Sequence, residues 1–179
     1  MSRVRKSSSA EWPFEGYKVS FYAGGIEHTT ATLDRGVIFE HSHHALYNSS
    51  DGYWRLRPGP TFSSQQAPIS FRLNHVAPAE DPASMSVVLE SRASASAIRQ
   101  DVWVYNFSTA TWTLIESTSG LPTAGPDRYA VIPVPNPVQY VGPQREIRVR
   151  VEYKAEGPLF GYPWTASIDR ELVRYTRDE

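Results

Sequence analysis

Ile147-Arg148-Val149-Arg150-Val151-Glu152-Tyr153 alternates an apolar side chain with a charged one at every step. Period two is the spacing at which alternate side chains share one face of a strand. The stretch therefore predicts a strand with one face on a core and the other in water or at a polar contact. Ile69, Phe71 and Leu73 alternate in the same way with Ser70, Arg72 and Asn74, as do Tyr17, Val19 and Phe21 with Lys18 and Ser20. Met85 to Glu90 is more evenly apolar, and Val102 to Phe107 carries large residues on both faces, so these two are expected centrally in a two-layer stack. Ser108-Thr-Ala-Thr111 then joins that run to Trp112-Thr-Leu-Ile115 as a β-hairpin loop.

Further strands are expected around Gly36 to Glu40, Tyr53 to Leu56, Tyr129 to Val134 and Leu172 to Thr176. The total, about eight to ten, is that of a sandwich or jelly roll. Prolines cluster at Pro58 and Pro60, at Pro78 and Pro82, and from Pro133 to Pro143, where a residue that cannot donate to a ladder marks loops and edges. A weak helix is expected over Ala93 to Arg99. The reading is an all-β fold, a two-layer antiparallel β sandwich (jelly roll) with an N-terminal arm. It divides into a basic Ser-rich arm over 1–16, N-terminal strands packed on or extending the core over 17–68, and a jelly-roll module over 69–179.

The chain has 179 residues, 18 Lys+Arg against 19 Asp+Glu for a formal charge of −1, and no cysteine. A near-neutral balance gives no global field toward a phosphate backbone or an anionic bilayer, so neither nucleic acid nor membrane is an expected partner. Lack of cysteine removes disulfides, thiolate metal sites and thiol nucleophiles together. No apolar run has the roughly 18 residues of a spanning helix, and the basic start at Arg3, Arg5 and Lys6 has no apolar stretch behind it, so no export signal is read.

The order of Val102-Trp-Val-Tyr-Asn-Phe107, its continuation through Trp112 to Leu114, Tyr140-Val141 leading into Ile147 to Val151, and Ser167-Ile-Asp169 before the last strand resembles the galactose-binding-domain-like jelly-roll modules of bacterial secreted and surface proteins. The resemblance covers Ile69 to Tyr175. It implies an antiparallel two-sheet fold and non-catalytic binding to glycans or other surfaces, with ligand contacts on loops.

Chemistry in the sequence is sparse. If Glu40 to His43 is extended, His41 and His43 share a face and offer two imidazoles to a metal. No third ligand stands at a recognisable spacing, so no metal or other cofactor is expected. Glu80 with Asp81, or Asp127 with Asp169, pair carboxylates that in principle serve acid–base roles or hold Ca²⁺ between loops. No Gly-x-Ser-x-Gly elbow, phosphate loop or dinucleotide glycine pattern occurs, and no catalytic residue is assigned.

The aromatics carry more. Tyr53-Trp54-Arg55 and Tyr162-Pro-Trp164 place rings in or beside Gly/Pro-rich connections, where a ring can stand as a platform for a sugar face or a partner protein, or else seal the core. Trp103 and Trp112, in regular strand pattern, are expected to be core. These features lead to an expectation of a structural or adhesion protein of a larger assembly, such as a bacteriophage virion accessory (capsid decoration, collar or tail), in the virion or extracellular. Its arm of Arg3, Arg5 and Lys6 would be ordered by protein partners or self-association. The alternative is a carbohydrate-binding module with a glycan partner.

Overall fold

The computed structural model of the chain describes residues 25–47, 52–157 and 163–176. Ten strands follow in order: β1 His28–Arg35, β2 Val37–Glu40, β3 Trp54–Arg57, β4 Ile69–Val76, β5 Ser84–Ala93, β6 Ile98–Asn106, β7 Thr111–Thr118, β8 Arg128–Pro133, β9 Glu146–Ala155 and β10 Ala166–Thr176. They build two five-stranded antiparallel sheets, β1-β4-β9-β6-β7 and β2-β3-β10-β5-β8. Two short 3-10 turns, His43–Tyr47 and Pro137–Tyr140, complete the regular structure. No helix among the described residues is long and apolar enough to cross a membrane.

The alternation of β9 does what its period demands. Ile147, Val149, Val151 and Tyr153 are buried, flanked by Ile69, Phe71 and Leu73 of β4 and by Ile98, Val102 and Val104 of β6. Facing them from the second sheet are Met85, Val87 and Leu89 of β5 and Val173 and Tyr175 of β10, all in one apolar cluster. Each sheet thus covers the other's apolar face, the arrangement that lets a chain of this size fold without disulfides.

The hairpin forms where expected. Asn106 Oδ1 accepts the backbone N–H groups of Ser108 (2.9 Å) and Thr109 (3.1 Å), and Ala110 takes a left-handed φ of 57°. The side chain thus substitutes for ladder partners through the turn.

Several expectations are corrected. The helix over Ala93 to Arg99 is not formed: β5 runs through Ala93 and β6 begins at Ile98, and the serines favour the tight connection between them. The last strand starts at Ala166 rather than Leu172, and β1 is an additional strand whose sequence shows little pattern, because Ala31 and Leu33 are its only apolar residues packed on the core and its buried first residue is His28. The strand expected over Tyr17 to Phe21 and the arm at 1–16 lie outside the described residues. β6 is not enclosed on both faces: it is second from the edge of its sheet, and its large residues look outward.

Candidate functional site

The register of the β1-β4-β9-β6-β7 sheet aligns its outward side chains in rows. One row runs Thr30, Asn74, Arg148; the next runs Thr32, Arg72, Arg150, Trp103, Leu114. Tyr105 pairs with Trp112 beside the first row. Because Val102 and Val104 take the core side of β6, Trp103 and Tyr105 between them must take the outer side. These half-buried rings correct the expectation that Trp103 and Trp112 are core.

Arginines of β9 hold the rings in place. The Arg150 guanidinium lies 4.9 Å from the Trp103 ring centre and 4.7 Å from that of Trp112. Arg148 stacks over Tyr105 (5.4 Å) and Phe107 (5.1 Å). Tyr105 meets Trp112 edge to face at 5.3 Å. Stacking of this kind fixes both ring and cation without drawing either into the core.

Two shallow cavities sit against this aromatic strip and share Arg72 and Trp112. The first, about 430 Å³, is lined by Thr30, Asn74, Tyr105, Gln144, Glu146 and Arg148 as well. The second, about 440 Å³, adds Asp34, Arg35, Ser70 and Arg150. Asp34 grips Arg72 through three hydrogen bonds of 2.5 to 3.0 Å, which raises the Arg72 guanidinium pKa. Burial lowers that of Arg150, against the raising influence of the Glu152 and Asp34 carboxylates. The result is a groove of fixed hydrogen-bonding groups along one side of a row of rings.

The residues singled out from sequence are distributed differently. Trp54 and Trp164 are each only 2 % exposed, so the platform expected at these two rings is corrected to a core role, with Trp54 packed edge to face on Phe71 at 4.8 Å. Tyr53 is half-buried between the Arg55 and Arg92 guanidiniums, at 5.3 and 4.8 Å, and Arg55 pairs with Glu40. Arg55 and Arg92 line a third cavity, about 470 Å³, with Phe39, Ser94 and Thr165. Tyr162, Arg3, Arg5 and Lys6 lie outside the described residues.

The imidazole pair is also rearranged. β2 ends at Glu40 and His41 turns to φ 59°, so His41 and His43 do not share a strand face. His43 instead bonds His28 through Nδ1···Nε2 at 3.1 Å. Arg145 ties down the Glu80–Asp81 loop, bonding the Asp81 carboxylate at 2.8 Å and the Glu80 carbonyl. Asp127 and Asp169 do come together, and Glu90 joins them, with one oxygen from each within 4.8 Å of the others. Oxygen donors so grouped suit a hard cation, although Arg92, 3.4 Å from Asp127, already supplies positive charge there.

No family model matches the chain, and no curated protein matches it. Among solved structures it is similar to a family 29 carbohydrate-binding module variant, at 13% identity and a TM-score of 0.41 over 82% of this chain and 91% of that one. It is similar also to the N-terminal cellulose-binding domain of Cellulomonas fimi β-1,4-glucanase C, at 17% identity and 0.44 over 74% and 84%. A third is the enzymatically active domain of bacteriophage CBA120 tailspike protein 4, at 9% identity and 0.40 over 85% of this chain and 19% of that one. The two-sheet jelly roll implied by the sequence resemblance is the architecture of this chain, on the evidence of its own strand order and register.

Proposed function

We propose that the chain is a non-catalytic binding module that takes an extended saccharide across the outer face of the β1-β4-β9-β6-β7 sheet. The observation that carries this reading is the strip of Trp103, Tyr105 and Trp112, held outward by Arg148 and Arg150 beside the polar groove. A sugar ring offers a C–H face that stacks on an aromatic ring and a rim of hydroxyls that needs donors and acceptors at its edge. Asn74, Arg72, Gln144 and Glu146 supply both kinds of group. Five strands spaced by about 4.8 Å make a face about 19 Å wide, which suits an oligomer better than a single small molecule.

Affinity electrophoresis through gels containing a panel of soluble polysaccharides tests the reading. Retention by at least one polymer, lost in Trp112→Ala, is the expected result. Unretarded migration in every gel overturns it.

A second reading, a subunit of a larger protein assembly such as a virion accessory protein, is favoured by a different observation. Val37, Ile38 and Phe39 of the edge strand β2 are 55, 51 and 47 % exposed in succession. Consecutive apolar residues on an edge offer a partner both ladder bonds and apolar contact.

A further inference from the structure

Charge at the β1 end of the groove is not balanced. Arg35, Arg72 and Arg150 converge on one cavity with Asp34 as the carboxylate lining it. Asp34 is engaged by Arg72 through both oxygens. Glu152, the next nearest acid, is shared at 3.8 Å from Arg35 and 3.7 Å from Arg150, too far to hydrogen-bond either, and it accepts from Ser70 at 3.3 Å. The buried Arg150 Nε has no hydrogen-bond partner. Three guanidiniums therefore meet two carboxylates, and the one left short is wedged against two indole rings, where water compensates it poorly.

We infer that the saccharide bound at this face is acidic, and that its anionic group, a uronate carboxylate or a sulfate ester, docks between Arg35, Arg72 and Arg150. This inference rests on the glycan reading above and adds the class of sugar to it. A ligand oxyanion in this cavity supplies the negative charge that the third guanidinium is short of, and a guanidinium presents paired N–H groups to such an anion in fixed geometry. Trp112 lines the same cavity, so the sugar bearing that group stacks while its charge is held. Burial and the neighbouring Arg35 and Arg72 charges all lower the Arg150 guanidinium pKa, which is the condition an incoming anion relieves. The chain's formal charge of −1 gives no general attraction for polyanions, so acidic-polymer binding would be a property of this cavity.

The test is affinity electrophoresis of the full chain in gels of polygalacturonate, alginate or a sulfated glycan, beside gels of neutral xylan, glucomannan and β-glucan. Expected are retention by at least one acidic polymer, weakened by about 0.5 M NaCl through screening, and affinity lower by about tenfold or more in Arg150→Met, which keeps an apolar stem against the rings. Arg72→Gln, at an exposed position, is expected to act in the same direction and serves if Arg150→Met fails to fold. Polygalacturonate or alginate against the sulfated polymer separates uronate from sulfate. Retention by neutral polymers alone, insensitive to salt and unchanged in both variants, overturns the acidic inference and leaves the glycan reading standing. Retention by no polymer overturns both.

Discussion

His75 and Glu171 form an ion pair with both side chains fully buried, Nε2 lying 3.1 Å from Oε1. The other His75 nitrogen faces the Ile26 carbonyl at 3.1 Å, so both ring nitrogens meet acceptors, which favours the protonated ring. Burial alone would lower the His75 pKa, but the Glu171 charge, its hydrogen bond and the Ile26 and Glu27 carbonyls outweigh burial and raise it. His28, its ring 6.3 Å away, is driven the other way. Burial first, then the charges of His75, His43 and His44, push it down to about 4. The Glu171 carboxylate draws one buried histidine toward its charged form, while burial and the surrounding imidazoles push its neighbour toward the neutral form.

Glu27 beside this pair titrates in an accessible range. Burial, offset in part by Arg170, raises it to about 7, and its buried Oε2 has no hydrogen-bond partner. A carboxyl whose folded pKa lies above its unfolded value binds its proton more tightly when folded. Its contribution is fully present below about pH 4.5 and is lost as pH rises through 7. Glu27→Gln carries no such titration. The variant is expected to match the parent near pH 4.5 and to exceed it by about 1 to 2 kcal/mol at pH 8, after discounting for partial solvent exposure. Urea denaturation across that range measures it, and a gap that stays constant with pH contradicts the assignment.

Trp54→Ala and Trp112→Ala separate core from site. Trp54 is buried on Phe71, so its truncation costs about 3 to 5 kcal/mol. Trp112 is half-buried on the outer face, and its truncation is expected to cost less than about 1.5 kcal/mol while removing polysaccharide retention. Equal losses of stability would place both rings in the core and leave the outer face without its platform.

Those two tryptophans also show how far sequence reasoning reaches here. The core side of β9 and β4 is legible because apolar and polar residues alternate, and the inward set can be named from the period alone, whereas Val87, Val88 and Leu89 of β5 are all apolar and all buried. In β6 both faces carry large side chains, so the period says that Trp103 and Tyr105 share a face without saying which. The sign comes from β9, whose Arg150 stands directly across from Trp103 and whose Val151 stands across from Val102. Trp54, with Gly52 and Pro58 close by, reads from sequence as either a platform or a core ring, and the choice comes from β3 being held between β2 and β10, which turns that ring inward. The His75–Glu171 pair joins residues 96 apart, and no local pattern marks it. Asp127 with Asp169 was visible as a pairing; Glu90 entered only when β5 and β10 were paired.

A polar brace across the sandwich is expected to be as costly to lose as a core side chain. Gln100 of β6 donates to Ser91 Oγ of β5 at 2.7 Å and to the Tyr153 hydroxyl of β9 at 2.9 Å, and its carbonyl accepts from Arg128 of β8 at 3.1 Å. Burial raises the Tyr153 hydroxyl to about 12, so it remains protonated. Gln100→Ala strips a bond from the buried Ser91 and Tyr153 hydroxyls, while Arg128 keeps Glu116 at 2.7 Å, a loss of about 2 to 3 kcal/mol. In a Tyr153→Phe background the same substitution is expected to cost less, because one stranded hydroxyl is already gone. Strict additivity of the two losses in a double-mutant cycle would mean that the brace does not act as a unit.

The edge strand β2 tests the assembly reading independently of the saccharide one. Its Val37, Ile38 and Phe39 are all about half exposed, which means that neither of its faces is covered by the sandwich. Two features restrain open-ended pairing there. The strand has only four residues with a register shift between Ile38 and Glu40, and Arg57 lays its guanidinium 3.5 Å from the Phe39 ring centre. A short edge of this kind supports a closed pairing with one partner strand better than a growing fibre. The full chain is accordingly expected to show concentration-dependent self-association in sedimentation velocity between about 1 and 200 μM. Ile38→Lys is expected to abolish it while leaving the melting temperature nearly unchanged, since an exposed edge residue contributes little to the core. Polysaccharide retention, proposed for the opposite sheet, should be the same in parent and variant. A chain that stays monomeric throughout that range contradicts self-pairing through β2 and removes the support that this edge gives to the assembly reading.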